Sequence, residues 1–327
     1  MKAWRVHELG EPKDVLTLDE IERPRAAAGE IVVKVLAVAA NFPDALLCRG
    51  QYQVKPPLPF SPGVELCGEV VEVGDKAGPW SVGDRIIGTP EFPTGGYAEY
   101  SVVMGAKALP APTALDDAEA SALLIGYQTG WFALHRRAAI QPGEWLLVHA
   151  AAGGVGSAAV QLGTAAGAKV IGVAGGADKC AYVRQLGADV VIDRRTEDVV
   201  EVVKQVTGGH GADVVYDPVG GDSYDQSTKC IAFEGRILVI GFAGGRIQAP
   251  ALNHALIKNY SIVGLHWGLY ATKNPRLILE CHAELTRLAE EGKVKPFISE
   301  RLGLADVPDG VDRVASGRTV GRLVFLP

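Results

Sequence analysis

The chain has 327 residues, a length typical of two domains of about 150 residues each. Apolar residues make up 48% of the sequence and charged residues 21%, which excludes a disordered or highly charged protein. The net charge of −6 is a mild acidic excess, so the sequence offers no electrostatic footprint for nucleic acid or for an anionic membrane.

Neither a targeting segment nor a disulfide framework is predicted. Residues 1–12 lack the apolar stretch of a secretory signal, and apolar runs such as 31–40 are shorter than the roughly 20 residues of a membrane span. The five cysteines are scattered and form no C-x-x-C pair, so buried free thiols are expected rather than disulfides or a four-thiolate zinc site. We therefore expect a cytoplasmic protein.

The pattern of predicted strands and helices changes twice along the chain. Residues 1–118 contain strand-like runs interrupted by Pro and Gly, which predicts an irregular antiparallel barrel. Over residues 119–268, apolar strands alternate with helix-length segments, and this alternation predicts a doubly wound parallel sheet. Residues 269–327 are too few to form a core, so we assign them to the first domain. The predicted fold class is α/β, with these two domains.

The most informative segment is the loop 148–157, which lies between a predicted strand and a predicted helix. In a G-x-G-x-x-G frame, Ala151 takes the first glycine position and Gly153 and Gly156 take the other two. Gly153 would let the backbone approach a pyrophosphate, and Gly156 would let the helix pack closely on the strand. A glycine-rich turn without a ligand is the alternative, but the repeated β-α steps argue against it. The loop predicts dinucleotide binding by Gly153, Gly154, Val155 and Gly156.

The end of the second strand indicates which dinucleotide is bound. An NAD enzyme keeps an Asp or Glu about 20 residues after the glycines, to bind the ribose 2′-hydroxyl. This sequence has Ala174 and Gly175 there, while Lys179, Arg194 and Arg195 can converge on the same corner. Each cation alone would be read as a solvated surface charge. Together with the missing carboxylate they fit a 2′-phosphate, so we predict NADPH, with Gly175, Lys179 and Arg194 as contacts.

Seven short motifs carry a resemblance that extends over the whole chain. They are 40–44 (Ala-Asn-Phe-Pro-Asp), 49–52 (Arg-Gly-Gln-Tyr), 57–63 (Pro-Leu-Pro-Phe-Ser-Pro-Gly), 126–129 (Gly-Tyr-Gln-Thr), 150–156 (Ala-Ala-Ala-Gly-Gly-Val-Gly), 186–189 (Leu-Gly-Ala-Asp) and 239–242 (Val-Ile-Gly-Phe). In these motifs and their order, the chain resembles the zinc-independent medium-chain dehydrogenases/reductases, specifically the NADPH:quinone oxidoreductase family. The resemblance implies a GroES-like β-barrel domain, a Rossmann domain, and a homodimer paired through the apolar edge strand 261–267.

The resemblance also implies that no metal is used. Zinc-dependent relatives bind their catalytic metal with Cys and His, whereas the motif-matched positions here are Asn41, Val64 and Ile125, which are unsuitable or poor ligands. Asp44 and Glu65 match acidic positions of those relatives and are expected to act structurally. Hydride transfer to a quinone or another α,β-unsaturated carbonyl needs no Lewis acid, because the acceptor delocalises the developing charge.

Further site residues follow from the resemblance. Asn41 would lie beside the nicotinamide and hydrogen-bond the cofactor or the substrate carbonyl, unless it only forms a turn. Tyr52 would donate a hydrogen bond or proton to an enolate, or would stack on a planar substrate. Thr129 would contact the nicotinamide, or only bond back to its own helix. Gly241, Phe242 and Ala243 follow the fifth strand and would line the carboxamide of the cofactor. His266 and Trp267 follow the sixth strand and would line the mouth of the cleft, with core or subunit packing as their alternative.

Two other functions fit parts of the sequence. A 2-enoyl thioester reductase of the same fold would need a basic patch for CoA, to which Lys55 and Lys273 are candidates. An NADPH-binding protein with little catalysis is the second alternative, and its RNA-binding form is disfavoured by the net charge of −6 and only 7% aromatic residues. We expect a small-molecule quinone or enone substrate, without a nucleic-acid or membrane partner. The natural substrate is not predicted, since loop shapes determine it.

Overall fold

The chain divides into two units in the computed structural model, which describes all residues from 1 to 327. The first unit combines Met1–Leu124 with Lys295–Pro327, and the second is the continuous stretch Ile125–Val294. The first unit contains a seven-stranded sheet and a two-stranded sheet, and the second unit contains a six-stranded sheet; the two large sheets differ in the direction of their strands.

The first stretch of the chain is rich in strands. Its elements are β1 (Lys2–Val6), α1 (Pro12–Val15), β2 (Leu16–Glu20), β3 (Glu30–Ala39), α2 (Phe42–Cys48), β4 (Leu66–Val73), β5 (Arg85–Gly88), β6 (Tyr100–Met104), β7 (Leu109–Pro110) and α3 (Asp117–Ser121). β3 is buried along most of its length. Ile31 and Val33 face the main core of the unit, while Ala37 and Ala39 pack against Ala118 of α3. Burial on both faces explains why this strand reads as a continuous apolar run.

The second unit alternates strands and helices. Its elements are α4 (Leu124–Trp131), a π-helix (Phe132–Arg137), β8 (Trp145–Val148), α5 (Gly154–Ala165), β9 (Lys169–Ala174), α6 (Ala177–Gln185), β10 (Val190–Asp193), α7 (Val199–Val206), β11 (Ala212–Asp217), α8 (Asp222–Cys230), β12 (Ile231–Val239), α9 (Leu252–Lys258), β13 (Ser261–Gly264), α10 (Gly268–Lys273) and α11 (Pro275–Glu290). Six parallel strands form one sheet in the order β10-β9-β8-β11-β12-β13. The chain reverses its direction of progress beside β8, and ligands of such sheets bind at the carboxyl ends of the strands next to this reversal.

The final stretch completes the first unit. It consists of β14 (Ile298–Gly303), a 3₁₀ turn (Leu304–Asp306), α12 (Val307–Ala315) and β15 (Arg322–Leu326). β15 pairs antiparallel with β3, which gives the sheet order β14-β15-β3-β4-β5-β7, with β6 also paired to β3. The predicted fold class, one largely antiparallel domain and one doubly wound parallel sheet, is confirmed. No helix in the chain combines the length and the apolar character that crossing a bilayer requires.

The joins between the units differ from the predicted ones. We placed the second domain at residues 119–268, whereas the second unit covers Ile125–Val294. Helix α11 accounts for most of the difference, because it lies in the second unit with Cys281, Leu285 and Leu288 buried. Periodicity predicts that such a helix has an apolar face, but it does not say which core the face meets.

Candidate functional site

The loop after β8 has the backbone of an anion-binding turn. Gly153 precedes α5 in an extended conformation, and its carbonyl accepts a hydrogen bond from Ser157 N at 2.8 Å. A Cβ atom at Gly156 would lie 2.2 Å from the carbonyl oxygen of Ala150, so this close approach requires glycine. The first N–H groups of a helix have no partner within it, and the helix dipole adds positive potential. The structure thus brings Gly153, Gly154, Val155 and Gly156 together at a helix N-terminus suited to phosphate.

A second feature lies where β9 and β10 end. Ala174 pairs with Asp193 in parallel register, so the residues that follow the two strands leave the sheet side by side. Arg194 N donates to the carbonyl oxygen of Ala174 at 2.9 Å, and Asp193 Oδ1 accepts from Gly176 N at 3.0 Å. These hydrogen bonds fix the two turns to each other.

Three basic side chains gather over this turn: Lys179, Arg194 and Arg195, which we call the cationic corner. A Cβ atom at Gly175 would lie 3.3 Å from Arg194 Nε and 3.4 Å from Arg195 Nε, and a Cβ atom at Gly176 would lie 2.8 Å from Arg195 Nη1. Burial, followed by the positive charges of both arginines, lowers the pKa of Lys179. Like charges at this range repel, and an anion among them relieves that repulsion. Arg195 was not among the predicted contacts, although the parallel register of β9 and β10 places it there as well.

The predicted carboxamide segment follows β12 at the same edge of the sheet. Ala243 N donates to the carbonyl oxygen of Pro218 at 3.1 Å, so the loop after β12 is held along the loop after β11. The side chain of Phe242 is half-exposed. The structure therefore anchors the backbone of Gly241, Phe242 and Ala243 along the carboxyl edge of the second unit.

Helix α4 and the loop after β13 meet through a hydrogen bond that the sequence did not predict. The indole Nε1 of Trp267 donates to Oε1 of Gln128 at 2.8 Å, and Gln128 is fully buried. Thr129 is the next residue of α4 and is also buried, while His266, beside Trp267, is exposed. Gln128 thus connects the predicted contacts Thr129 and Trp267. The motif 126–129 contains Gln128, but nothing in the motif indicates its partner.

In the first unit, Asn41 belongs to a buried polar cluster, which we define as Asn41, Asp44, Glu65, Tyr97 and Arg322. The backbone N–H of Asn41 donates to Asp44 Oδ2 at 2.8 Å, which fixes the start of α2. Asp44 also accepts from Tyr97 OH at 2.8 Å and from Gly63 N at 2.9 Å. Burial outweighs these donors and raises the pKa of Asp44 to about 6. Asp44 therefore holds α2 to the neighbouring loops.

The side-chain amide of Asn41 has a fixed environment. Its Nδ2 donates to the carbonyl oxygen of Ala39 at 3.0 Å and to Glu65 Oε1 at 2.9 Å. Glu65 is fully buried and forms an ion pair with Arg322 of β15. Both hydrogens of the amide nitrogen are therefore used inside the protein. The expected hydrogen bond from Asn41 to the cofactor or to the substrate carbonyl remains a prediction.

Tyr52 lies in the loop between α2 and β4, half-buried against the core of the first unit. Burial, followed by the negative charge of Asp44, raises the pKa of its phenol. The hydroxyl therefore stays protonated at neutral pH, where it can donate a hydrogen bond but cannot act as a base. This placement fits both predicted roles, donation and stacking.

The side chains that could ligate a metal do not converge. No group of three His, Cys, Asp or Glu residues is arranged to hold an ion in either unit. All five cysteines are buried free thiols. Val64, at a motif-matched metal position, donates its backbone N–H to Asp44 Oδ1 at 3.2 Å and offers only an apolar side chain.

Comparisons with known proteins find family models that match parts of both units. A family model described as an alcohol dehydrogenase GroES-like domain matches residues 27–113, and one described as a zinc-binding dehydrogenase matches residues 154–281. The quinone oxidoreductase-like protein 2 homolog of Nematostella vectensis is 39% identical over 326 residues, which cover 99% of this chain and 88% of that protein.

Solved structures extend the similarity to the whole fold. A probable oxidoreductase from Mycobacterium abscessus superposes with a TM-score of 0.91 at 36% identity, covering 100% of this chain and 99% of that one. The Escherichia coli quinone oxidoreductase, solved in complex with NADPH, gives a TM-score of 0.92 at 31% identity and covers 100% of both chains. Since sequence and fold agree over the full length, the chain belongs to the quinone oxidoreductase family of the medium-chain dehydrogenases/reductases, and it is an oxidoreductase of that type.

Proposed function

We propose that this protein transfers hydride from NADPH to a quinone or another α,β-unsaturated carbonyl without using a metal ion. The observation that carries the choice of cofactor is the cationic corner, which lies beside Ala174, where an NAD enzyme would have a carboxylate. The binding of NADPH by the Escherichia coli relative supports the same choice.

The residues of the second unit fit NADPH. The helix N-terminus after Gly153 would hold the pyrophosphate, because its N–H groups point at the approaching anion and Gly156 leaves the necessary space. The cationic corner would hold the 2′-phosphate through charge-assisted hydrogen bonds. The remaining contacts, at the nicotinamide end, would come from the following residues: Thr129, Gly241, Phe242, Ala243, His266 and Trp267.

Few protein groups are needed for the chemistry at the acceptor. Bound NADPH supplies a hydride, and the protein must orient the acceptor and exclude water. Tyr52 donates a hydrogen bond to the acceptor oxygen, because its raised pKa keeps the hydroxyl protonated. Charge that develops on this oxygen is delocalised over the conjugated acceptor, so one neutral donor is sufficient.

The absence of a metal is part of the proposal. Asn41 Nδ2 is committed to Ala39 and Glu65, Val64 has no donor atom in its side chain, and Ile125 has none either. These three positions therefore supply no set of nitrogen or sulfur ligands for zinc. Activity should survive treatment with EDTA, and stoichiometric zinc linked to activity would contradict the proposal.

An NADPH-consumption assay tests the reaction. We expect turnover with 1,4-benzoquinone and with simple enones, and slower turnover with NADH than with NADPH. A strong preference for 2-enoyl-CoA over quinones would favour the enoyl thioester reductase instead. Tight NADPH binding without turnover on any quinone, enone, enoyl-CoA or aldehyde would show that the protein only binds the cofactor.

We further propose that a second copy of the chain covers the edge of the parallel sheet. β13 pairs only with β12, and the neighbouring helix α9 buries none of its side chains. Leu252, Leu256 and Ile257 on α9 are each more than 70% exposed, at 72%, 77% and 71%. Such an apolar face beside an open edge is suited to pairing. Sedimentation should show a dimer that Leu256→Asp dissociates, and a monomeric parent would contradict the proposal.

A further inference from the structure

A single carboxylate joins the two turns that carry the cationic corner. Asp193 is the last residue of β10, and its Oδ1 accepts hydrogen bonds from the backbone N–H groups of Gly176 and Arg195, each at 3.0 Å. Gly176 belongs to the turn after β9, whereas Arg195 belongs to the turn after β10. One oxygen atom therefore fixes the place of the two turns relative to each other.

Both hydrogen bonds act on the backbone from which the basic side chains extend. Gly176 is the N-cap of α6, so its position determines where this helix begins, and Lys179 is the third residue of the helix. Arg195 is bonded directly, and Arg194 lies between it and Asp193 in the chain. Gly176 has a φ angle of 96°, and a Cβ atom there would lie 2.8 Å from Arg195 Nη1, so the guanidinium lies over a turn that requires glycine. All three basic residues are thus attached to backbone that Asp193 holds.

The charge of Asp193 is unfavourable for an anion that binds at the same corner. Hydrogen bonds from the backbone N–H groups of Gly176 and then of Arg195 lower the pKa of Asp193, so its carboxyl group is ionised at neutral pH. A carboxylate beside three cations reduces the positive potential that a 2′-phosphate meets. The charge of Asp193 and its hydrogen bonds therefore have opposite expected effects on phosphate binding, and substitutions can separate them.

We propose that Asp193 is a positioning residue whose Oδ1, through Gly176 and Arg195, arranges the cationic corner to bind the 2′-phosphate of NADPH. The role depends on the place of the oxygen acceptor and not on its negative charge. Asp193 does not itself contact the phosphate, because two anionic groups repel each other. This inference rests on the proposed binding of the 2′-phosphate by the cationic corner.

Three substitutions at Asp193 separate the acceptor from the charge. Asp193→Asn keeps an oxygen that faces the two N–H donors and removes the charge, so the dissociation constant of NADPH should stay the same or fall by up to about 3-fold. Asp193→Ala removes both and should raise this constant by about 10-fold or more, the range of one charge-assisted hydrogen bond. Asp193→Glu keeps the charge but moves the oxygen by one methylene, and it should resemble Asp193→Ala. The dissociation constant of NADH should change little in all three.

Asp198 provides a matched control in the same unit. It is the N-cap of α7, and its Oδ1 also accepts two backbone hydrogen bonds, from Val200 N at 2.9 Å and from Glu201 N at 3.1 Å. Asp198→Ala should lower the midpoint of urea unfolding, because a helix cap is lost, but it should leave the ratio of the NADPH and NADH dissociation constants unchanged. Where Asp193→Ala does not fold, Asp193→Asn and Asp193→Glu still have opposite expected effects on NADPH binding.

Several results would overturn the inference. Tighter NADPH binding by Asp193→Ala would mean that the carboxylate only opposes the phosphate. Weakening by Asp193→Asn as large as that by Asp193→Ala would mean that the charge, and not the place of the acceptor, arranges the cations. Equal weakening of NADPH and NADH by Asp193→Ala would indicate a general loss of structure.

Lys179→Ala separates failure of this inference from failure of the proposed function. If the parent prefers NADPH and Lys179→Ala lowers that preference while Asp193→Ala does not, only the inference fails. If the parent binds both cofactors equally, or if Lys179→Ala leaves the preference intact, the cationic corner does not bind the 2′-phosphate. The proposed function then fails in its choice of cofactor, and the inference fails with it.

Discussion

The cationic corner of the second unit and the buried polar cluster of the first unit differ in how far their charges are compensated by neighbouring groups. Lys179, Arg194 and Arg195 lie together, and burial, followed by the positive charges of both arginines, lowers the pKa of Lys179. In the cluster, Glu65 is neutralised by Arg322, and Asp44 accepts hydrogen bonds from a phenol and from backbone N–H groups. In the corner, basic side chains outnumber the adjacent carboxylate of Asp193, which suits an anionic part of a ligand, whereas a balanced region can offer only a directed neutral contact.

The largest effect is expected when a negative charge is added to the corner. Ala174→Asp would pair with the basic side chains and repel a 2′-phosphate, so the preference for NADPH over NADH should fall by about 100-fold or more. Dissociation constants for both cofactors measure the change. Ala181→Asp, at an exposed position of α6, makes the same substitution away from the corner and should leave the preference intact.

Removing the basic side chains singly sharpens the comparison further. Lys179→Ala, Arg194→Ala and Arg195→Ala should each weaken NADPH binding by about 10- to 150-fold, because each removes a charge-assisted hydrogen bond. NADH binding should change little. Arg184→Ala, an exposed arginine of α6, is the control. If the three variants weaken NADH as much as NADPH, these side chains do not bind the 2′-phosphate.

The pH dependence of stability tests the buried polar cluster of the first unit. Burial raises the pKa of Asp44 from 3.8 to about 6 in the folded protein, so the folded state holds this proton more tightly than the unfolded state. The contribution of Asp44 to the free energy of unfolding is therefore fully present below about pH 4 and is lost as the pH rises through 6, by about 3 kcal/mol in total. Urea unfolding of the parent and of Asp44→Asn should show this loss in their difference.

The smallest effect is expected at Tyr52, beside the cluster. Tyr52→Phe should lower kcat with 1,4-benzoquinone by about 3- to 10-fold, the range of one hydrogen bond, without changing the dissociation constant of NADPH. Because the pKa of Tyr52 is raised, the rate should not fall through ionisation of this phenol below about pH 10. Tyr100→Phe, a half-buried tyrosine of β6, is the control. An unchanged kcat in Tyr52→Phe would leave stacking as the role of the ring.

The two regions also differ in how far the sequence predicts them. Gly153 and Gly156 are predictable because the turn that they form is local, and Lys179 and Arg194 because the carboxyl ends of neighbouring parallel strands meet at one edge. The orientation of the Asn41 amide is not predictable, since it depends on Glu65 and Arg322, which come from distant parts of the chain. Pairwise contacts between distant side chains leave no periodic signal in a single sequence.

The unit boundaries illustrate the same limit. Strand-helix alternation predicts the parallel sheet through β13, because each strand carries its own apolar run. Helix α11 comes after this alternation has ended, so we assigned it to the first domain. The structure places it in the second unit. The amphipathic pattern of a helix indicates that one face packs against another part of the protein, but it does not indicate which part.

The interruption of the first unit also has a consequence for biosynthesis. Arg322 lies 257 residues after Glu65, and the whole of the second unit is translated between them. Until β15 emerges, the edge of β3 that β15 covers at Val38 and Ala39 has no partner strand. Domains fold as units during synthesis, so the second unit can be complete while the first is still open. A nascent chain at this stage exposes an unpaired apolar edge, and this interval is when it is most vulnerable to aggregation.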